Sequence, residues 1–316
     1  MIKTKFFSIA SALLISMVIL ASGCSQTPTL ANTPAYKVTT ETQRRVDWEG
    51  NSSNRPDSLS GGQTSNKIEI TFNQDILSVD NKGNTVAKIT ITDLKYILEE
   101  KNAIVLDFDY SRAEDKEEPL AALIGKSYTI EITSNGMVSK ITDINDTLAA
   151  VKESSLNNQN ALRLLSTDAI KKRHTISALP DTKMSELKEG QTWSKIEAFS
   201  FGLMGAQSYE KTYTLEKIEK NGNHLIATAR MNAVPSVEKA KELYQEQGTS
   251  IFSSMSDNKD IYTGLLKMDL TSGQIEEYSE KLTAEWVIVD PNPQNAEQPA
   301  ALKMTAVQSY SIEKIN

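Results

Sequence analysis

The residue types that most often perform chemistry are scarce in this chain, which holds one cysteine and two histidines among 316 residues. Three small residues stand directly before the cysteine, Cys24: Ala21, Ser22 and Gly23. Further upstream, Lys3 and Lys5 precede an uncharged apolar stretch of 15 residues, Phe6 to Leu20. That stretch is shorter than the ~20 residues of a membrane-spanning helix. A basic start, a short apolar run and small residues together indicate an export signal.

The segment that ends at Cys24 resembles the lipobox of bacterial lipoprotein precursors. The resemblance implies that residues 1–23 are removed as a signal peptide, that the Cys24 sulfur receives a diacylglyceryl group, and that its new amino group takes a further acyl chain such as palmitate. Each buried methylene adds about 0.8 kcal/mol, so two or three chains form a lasting lipid anchor. An ordinary secretory signal that leaves a free thiol is the alternative. Ser25 follows the cysteine. Many Gram-negative bacteria read an aspartate at this position as a signal that retains the lipoprotein in the inner membrane, so the serine favours the outer membrane.

Two acidic residues, Asp107 and Asp109, alternate with apolar residues in the run LDFDY. Residues two apart on a strand project from the same face, so both carboxylates are expected side by side. Such an acidic pair can share a proton or hold a hard cation. The alternative is a solvated strand face, which the same alternation predicts.

The two histidines, His174 and His224, lie in no two-histidine motif, and Cys24 is committed to the anchor. No zinc site with the usual ligands is therefore predicted, and no other metal or cofactor. Residue counts alone leave a Ser-His-Asp triad open, but no Gly-x-Ser-x-Gly elbow is present. We assign no catalytic residue and predict that the protein is not an enzyme. His174 is interpreted as a favourable charge at the end of a helix.

The composition limits the partners. The net charge is −7 and becomes −9 when the signal peptide takes away its two lysines, which argues against a nucleic-acid partner. With Cys24 consumed, no disulfide can form. No second apolar run reaches the length of a membrane helix.

The body of the chain, residues 36–316, shows the alternation of half-buried strands. Residues 24–35 are interpreted as a lipidated tether, and Gly50–Asn66 is rich in Asn, Ser and Gly and is predicted to be a disordered loop. Helical segments are predicted from Asp146 to His174 and from Ser236 to Ser254, each capped by its first residue. The predicted strands lie near residues 36–48, 68–79, 86–91, 104–110, 128–132, 265–270, 274–278, 282–289 and 302–312. The fold class is therefore α+β, mainly antiparallel β, with a twisted or half-barrel sheet.

Two halves, residues 36–180 and 181–316, show similar turns. VDNKGNTVAKI matches IEKNGNHLIAT, with Gly83 facing Gly222, and TSNGMV matches TSGQI at nearly the same offset. Two matches at nearly one offset indicate an internal duplication. The preference of hairpin turns for Asn and Gly is the alternative.

The stretch LDFDYSRAEDKEEPLAALIGKSYTIEITSNGMVSKI resembles an uncharacterised family of exported bacterial proteins, known only as a domain of unknown function. The matching positions are Phe108, Asp109, Ser111, Pro119, Leu120, Ile124, Gly125, Lys126, Thr129, Gly136 and Val138, followed by Leu179, Pro180, Gly190 and Trp193. The resemblance covers roughly Lys67 to Met231 and implies a secreted β-rich fold with no assigned reaction. More remotely, strands with helices across one face are similar to half-barrel lipoproteins that carry lipids.

These observations predict an exported lipoprotein of the bacterial cell envelope, held at the membrane by its lipid anchor. Its predicted function is non-enzymatic binding or carriage of an apolar small molecule. The alternative is a structural or protein-interaction component of the envelope, with another envelope protein as its partner.

Overall fold

The computed structural model describes residues 33–49, 61–154, 159–182, 186–201, 206–238, 256–289 and 301–315. The predicted signal peptide and the lipobox with Cys24 lie outside these residues. Among the helices that the structure does describe, none is long and apolar enough to cross a membrane.

The described residues are dominated by one antiparallel sheet of 12 strands, which confirms the predicted fold class. None of the predicted strands falls on residues 138–142, 192–200, 206–221 or 224–236, which are strands in the structure. The strands are β1 (Ala35–Glu49), β2 (Gly62–Val79), β3 (Thr85–Glu100), β4 (Ala103–Asp109), β5 (Ser127–Ile132), β6 (Val138–Thr142), β7 (Thr192–Ser200), β8 (Ala206–Asn221), β9 (His224–Ser236), β10 (Ser256–Asp269), β11 (Ile275–Val289) and β12 (Ala301–Lys314). Their order across the sheet is β6-β5-β3-β2-β1-β12-β11-β10-β9-β8-β7, and β4 pairs with β3. The sheet is open, so β6 and β7 form its edges.

One face of the sheet, which we call the inner face, carries the core. In β8 the side chains of Tyr209, Tyr213 and Leu215 are fully buried on this face, whereas Glu210 and Thr212 between them are exposed. The same period of two gives Ile70 and Phe72 in β2. The buried apolar residues of both halves form one continuous cluster. Alternation thus gives each strand one apolar side, and the sheet buries these sides together.

Three α-helices cover part of the inner face: α1 (Ile144–Ser154), α2 (Gln159–Leu164) and α3 (Thr167–His174). Two short 3₁₀ helices, Glu114–Glu117 and Pro119–Leu123, precede β5. The prediction of one capped helical segment starting at Asp146 is wrong in detail, because Asp146 lies inside the first turn of α1. An acidic residue is favourable there because the helix dipole is positive at that end.

The predicted loop Gly50–Asn66 is corrected at its C-terminal end, where residues 62–66 belong to β2. Gly62 pairs with Val46, and Asn66 pairs with both Thr42 and Leu98. Neighbours on both sides supply the backbone hydrogen bonds, so polar side chains do not prevent a strand here. Residues 50–60 lie outside the described part of the chain.

The predicted helix from Ser236 to Ser254 falls mostly outside the described residues. Ser236 itself is the last residue of β9, where it pairs with Ser208. Its hydroxyl accepts a hydrogen bond from the Glu238 backbone N–H at 3.4 Å.

The two halves follow the same order of strands. β1-β2-β3-β5-β6 and β7-β8-β9-β10-β11 are both meanders, and β12 lies between them. The pairing of β2 with β3 is interrupted at Leu77, and that of β8 with β9 at Glu216. Each of these two bulges lies two residues before the start of its matching stretch, so they occupy corresponding positions in the two halves.

In the second strand of each hairpin, the sequence match and the strand pairing disagree. The sequence match aligns Ala87 with Ile226. In the structure Ala87 pairs with Ile76, and the residue at the equivalent position of the other hairpin is Ala229, which pairs with Leu215. The matching bulges support a common origin of the halves, and the duplication itself stays a prediction.

Candidate functional site

The acidic pair Asp107 and Asp109 lies on one side of β4, as the alternation predicts, but each carboxylate binds its own cation. Asp107 binds Arg112 at 3.1 Å, and Asp109 binds Lys95 at 3.0 Å. Hydrogen bonds from Ser111, followed by Lys95, lower the pKa of Asp109 to about 2. The described residues contain no group of three or more His, Cys, Asp or Glu placed to hold a metal ion.

His174 is buried, and the interpretation of it as a helix-end charge is wrong. Arg173 donates to the Tyr128 hydroxyl oxygen at 2.9 Å, and the same oxygen lies 2.7 Å from His174 Nε2. The ring edge of His174 also contacts Phe72. Burial, together with the positive charge of Arg173, lowers the pKa of His174 well below its ordinary value. His174 is therefore a neutral core residue.

His224 lies at the end of a hairpin beside Asp269. The His224 Nδ1 atom is 2.7 Å from Asp269 Oδ2, and the Ser272 hydroxyl donates to the same oxygen at 2.6 Å. The Thr271 backbone N–H donates to Asp269 Oδ1. Burial raises the pKa of Asp269, but these hydrogen bonds outweigh it and bring the pKa to about 2. Since Ser272 is directed at the carboxylate and not at the imidazole, the arrangement is that of a capped turn.

The candidate site is a cavity of about 320 Å³ on the inner face, which we call the inner cavity. Its walls come from the edge strand β7 and from β1, β11 and β12, which are several strands away in the sheet. The inner face is therefore concave. Thr175 and Ser177, in the loop after α3, close one side. Trp193 in β7 holds this loop by donating to the Ala178 carbonyl oxygen at 2.8 Å.

The walls of the inner cavity combine aromatic and aliphatic side chains with polar and charged ones, and most of the surface that they expose to the cavity is apolar. Phe199 meets Tyr262 edge to face at 5.6 Å, and Tyr278 lies 5.8 Å from Tyr310 between ring centroids. Leu282 adds an aliphatic side chain. Such walls suit an apolar molecule.

At one end of the cavity lies a buried polar group of five residues, the Lys211 cluster: Lys211, Glu197, Glu280, Tyr262 and Tyr278. The Lys211 side chain has no exposed surface, and its ammonium group binds Glu197 and, at 3.0 Å, Glu280. Both tyrosine hydroxyls donate to Glu280 Oε2, at 2.8 and 2.7 Å. The cluster joins β7, β8, β10 and β11 across the concave face.

The protonation states follow from burial and charge. Burial disfavours the ammonium form of Lys211, but the charges of Glu280 and Glu197 outweigh it and hold its pKa above the ordinary value. Burial, followed by the charge of Glu280, raises the pKa of Tyr262 and Tyr278 far above the ordinary value of a phenol. Lys211 is therefore an ammonium group, and the phenols of Tyr262 and Tyr278 are neutral.

Gly264 in β10 allows the strands of the cluster to come together. A Cβ atom at this position would lie 2.6 Å from the Ser279 carbonyl oxygen and 2.9 Å from Met231 Cε. Only glycine fits so close to the neighbouring backbone. The backbones of β10 and β11 can therefore approach closely at the place where the Lys211 side chain extends to Glu280.

Sequence reasoning did not single out the Lys211 cluster. The signal was nevertheless present, because Lys211 stands at an inward position between Tyr209 and Tyr213 in the run YEKTY. Glu280 lies in the same way between Tyr278 and Leu282. A charged residue at an inward position must be paired, and the pairing partner can be found only in the folded chain.

Comparison with known proteins identifies the family. A profile described as a family of unknown function (DUF6263) matches residues 82–275, more than half of the chain. The chain belongs to this family, and the resemblance predicted from the sequence is confirmed at that level. No curated protein matches the chain.

Among solved structures, the chain is similar to one titled "Lipid-protein interactions in lipovitellin", with a TM-score of 0.35 and 10% sequence identity. The match covers 90% of this chain and 25% of the lipovitellin chain, so the chain spans about a quarter of that protein's length. A TM-score this low supports no conclusion about fold or function.

Proposed function

We propose that this protein is a lipid-anchored component of the bacterial cell envelope that binds a small, largely apolar molecule in the inner cavity without changing it chemically. The observation that carries the proposal is the cavity itself. Its volume of about 320 Å³ lies within the range of ligand pockets, roughly 300–1,000 Å³. The surface exposed to the cavity is mostly apolar, and polar side chains converge on it, as they do in ligand pockets.

Binding is favoured over catalysis because the ionisable groups of the Lys211 cluster are engaged with one another. A general base or nucleophile needs a free lone pair and a pKa suited to its task. The Lys211 ammonium is held by Glu197 and Glu280, and burial raises the pKa of the two cluster phenols. The cluster therefore favours a structural and orienting role.

The location rests on the lipobox resemblance at Cys24. An anchor at that residue, followed by a short tether, would hold the cavity close to a membrane, where apolar molecules are concentrated. A carrier in this position needs no affinity of its body for the bilayer.

A cavity-filling substitution tests the proposal. Thr40 lies on the inner face of β1 and lines the cavity, whereas its neighbour Thr39 lies on the opposite face of the same strand. The full chain, purified in mild detergent, is analysed by mass spectrometry of its extracted small molecules. We expect an apolar species with the natural chain and with Thr39→Trp, and its loss with Thr40→Trp.

Two outcomes would contradict the proposal. One is the absence of any bound species from the natural chain, and the other is equal retention by the two tryptophan variants. Circular dichroism melting of both variants establishes that they fold.

A second candidate function is protein interaction in the envelope. It is favoured by three exposed apolar side chains on the β3-β4 hairpin, Ile97, Ile104 and Val105, which are 39%, 65% and 54% exposed. Crosslinking in intact cells tests it, since a reproducible protein partner that is lost on replacing Ile104 by Lys supports this function. Crosslinks that persist in that variant oppose it.

A further inference from the structure

The hydrogen bonds of the Lys211 cluster restrict what a ligand can bring to it. A lysine ammonium group has three donors and no acceptor. The Lys211 donors are used by Glu197, by Glu280 at 3.0 Å and by the Ser177 hydroxyl at 3.3 Å. No Lys211 proton is left for a ligand.

The phenol protons are also used. Tyr262 and Tyr278 each have one proton, and both donate it to Glu280 Oε2. The hydroxyls of Tyr213 and Tyr278 lie 3.3 Å apart, so Tyr213 donates its proton to Tyr278. Every donor of the cluster thus has an acceptor within the protein.

Acceptors, in contrast, remain open. Glu280 Oε2 receives three hydrogen bonds and Glu197 Oε2 receives one. The second oxygen of each carboxylate has no partner among the described residues. Two carboxylates against one ammonium also leave the cluster with one negative charge in excess.

From this imbalance we infer that the molecule bound in the inner cavity is an amphiphile whose polar end is a hydrogen-bond donor, a hydroxyl or a protonated amine. This inference rests on the proposed function. The donor contacts the free oxygens of Glu197 and Glu280, and the apolar part lies against Phe199 and the tyrosine rings. An amine gains in addition from the nearby ring of Tyr262.

The same imbalance disfavours an amphiphile with an anionic end. A carboxylate or phosphate at the cluster would meet two like charges and no free donor from the five cluster residues. The adjacent Ser177 hydroxyl accepts from Lys211, so its own proton offers such a ligand one neutral donor and no positive charge. Two other lysines line the cavity. Lys195 is bound to Asp181 at 2.8 Å, and Lys172 is exposed, so water weakens its attraction for an anion.

Three probes of equal chain length test the inference: 1-octanol, octylamine and octanoate. Their binding to the full chain, held in solution by an amphipathic polymer, is measured at pH 7 by saturation-transfer NMR. We expect octanol and octylamine to bind at least ten-fold more tightly than octanoate. Thr40→Trp should remove the binding of all three.

A charge-removing variant locates the polar end. Glu197 is partly exposed, so Glu197→Gln should fold, which melting confirms. We expect this variant to bind octylamine about five-fold more weakly, as for a partly exposed ion pair, and octanol within about two-fold, because glutamine keeps an acceptor. Glu210→Gln, on the opposite face of β8, is the matched control and should change neither value.

The outcomes separate the two proposals. If octanoate binds as tightly as octanol, and Thr40→Trp still removes binding, the donor inference is wrong and the cavity remains a binding site. The inference also fails if Glu197→Gln leaves octylamine binding unchanged. If no probe binds the natural chain, both proposals fail.

Discussion

Lys211 belongs to a small class of residues whose charge is kept in the interior by specific partners. Removing one partner of such an ion pair costs about 3–5 kcal/mol, because the remaining charge stays buried without compensation. We expect Lys211→Met to lower the free energy of unfolding by about this amount, measured by urea denaturation. The matched control is Lys267→Met, whose pair with Glu277 lies at the surface and is worth at most about 1 kcal/mol.

A double variant separates charge from packing at this position. In Lys211→Met with Glu280→Gln, the buried negative charge is gone, and the glutamine oxygen still accepts the tyrosine protons. Part of the lost stability should return. Equal losses for the single and the double variant would mean that the effect comes from packing.

At the residue scale, the sequence predicted little of the candidate site. The pattern placed Asp107 and Asp109 on one strand face correctly, but it contained nothing about Arg112 and Lys95, which neutralise them separately. Likewise, Lys211 meets Glu280 across two intervening strands, and no local spacing in the sequence encodes such a contact.

At the scale of elements, the sheet depends on the close approach of β10 to β11 at Gly264. We expect Gly264→Ala to destabilise the protein by about 1–3 kcal/mol, as overpacking of a closed interior does. Thermal unfolding measures this effect. Gly61→Ala is the matched control, because a Cβ at Gly61 meets nothing closer than 3.4 Å. A neutral Gly264→Ala would mean that the neighbouring backbone gives way.

Strands were the elements best predicted from the sequence. Half-buried strands such as β3 and β5 reveal themselves because each alternates apolar and polar residues over its length. The start of β2 was missed, since residues 62–66 carry no apolar side chain. All five pair with β1, and only Ser65 and Asn66 pair with β3 as well. The sequence also predicted no strand at β6, β7, β8 or β9. Helix boundaries near Asp146 were misplaced because capping residues and first-turn residues share the same acidic preference.

At the scale of the whole molecule, the proposed location depends on Cys24. We expect Cys24→Ala to move the protein from the membrane fraction to the soluble fraction, because without acyl chains the body has no lipid anchor. Fractionation and immunoblotting measure the distribution. Ser25→Ala, one residue further on, should stay with the membrane. Membrane retention of Cys24→Ala would argue against the anchor.

The position of β12 between the two meanders has a consequence for how the chain reaches its native state. β1 pairs with β12 along nearly its whole length, although all the other described strands lie between them in the chain. Hairpins such as β2-β3 and β8-β9 close locally and quickly, whereas a contact of such long sequence separation forms slowly. The two meanders can therefore form separately, but β12, which joins them, can pair with β1 and β11 only after residues 301–314 have been synthesised.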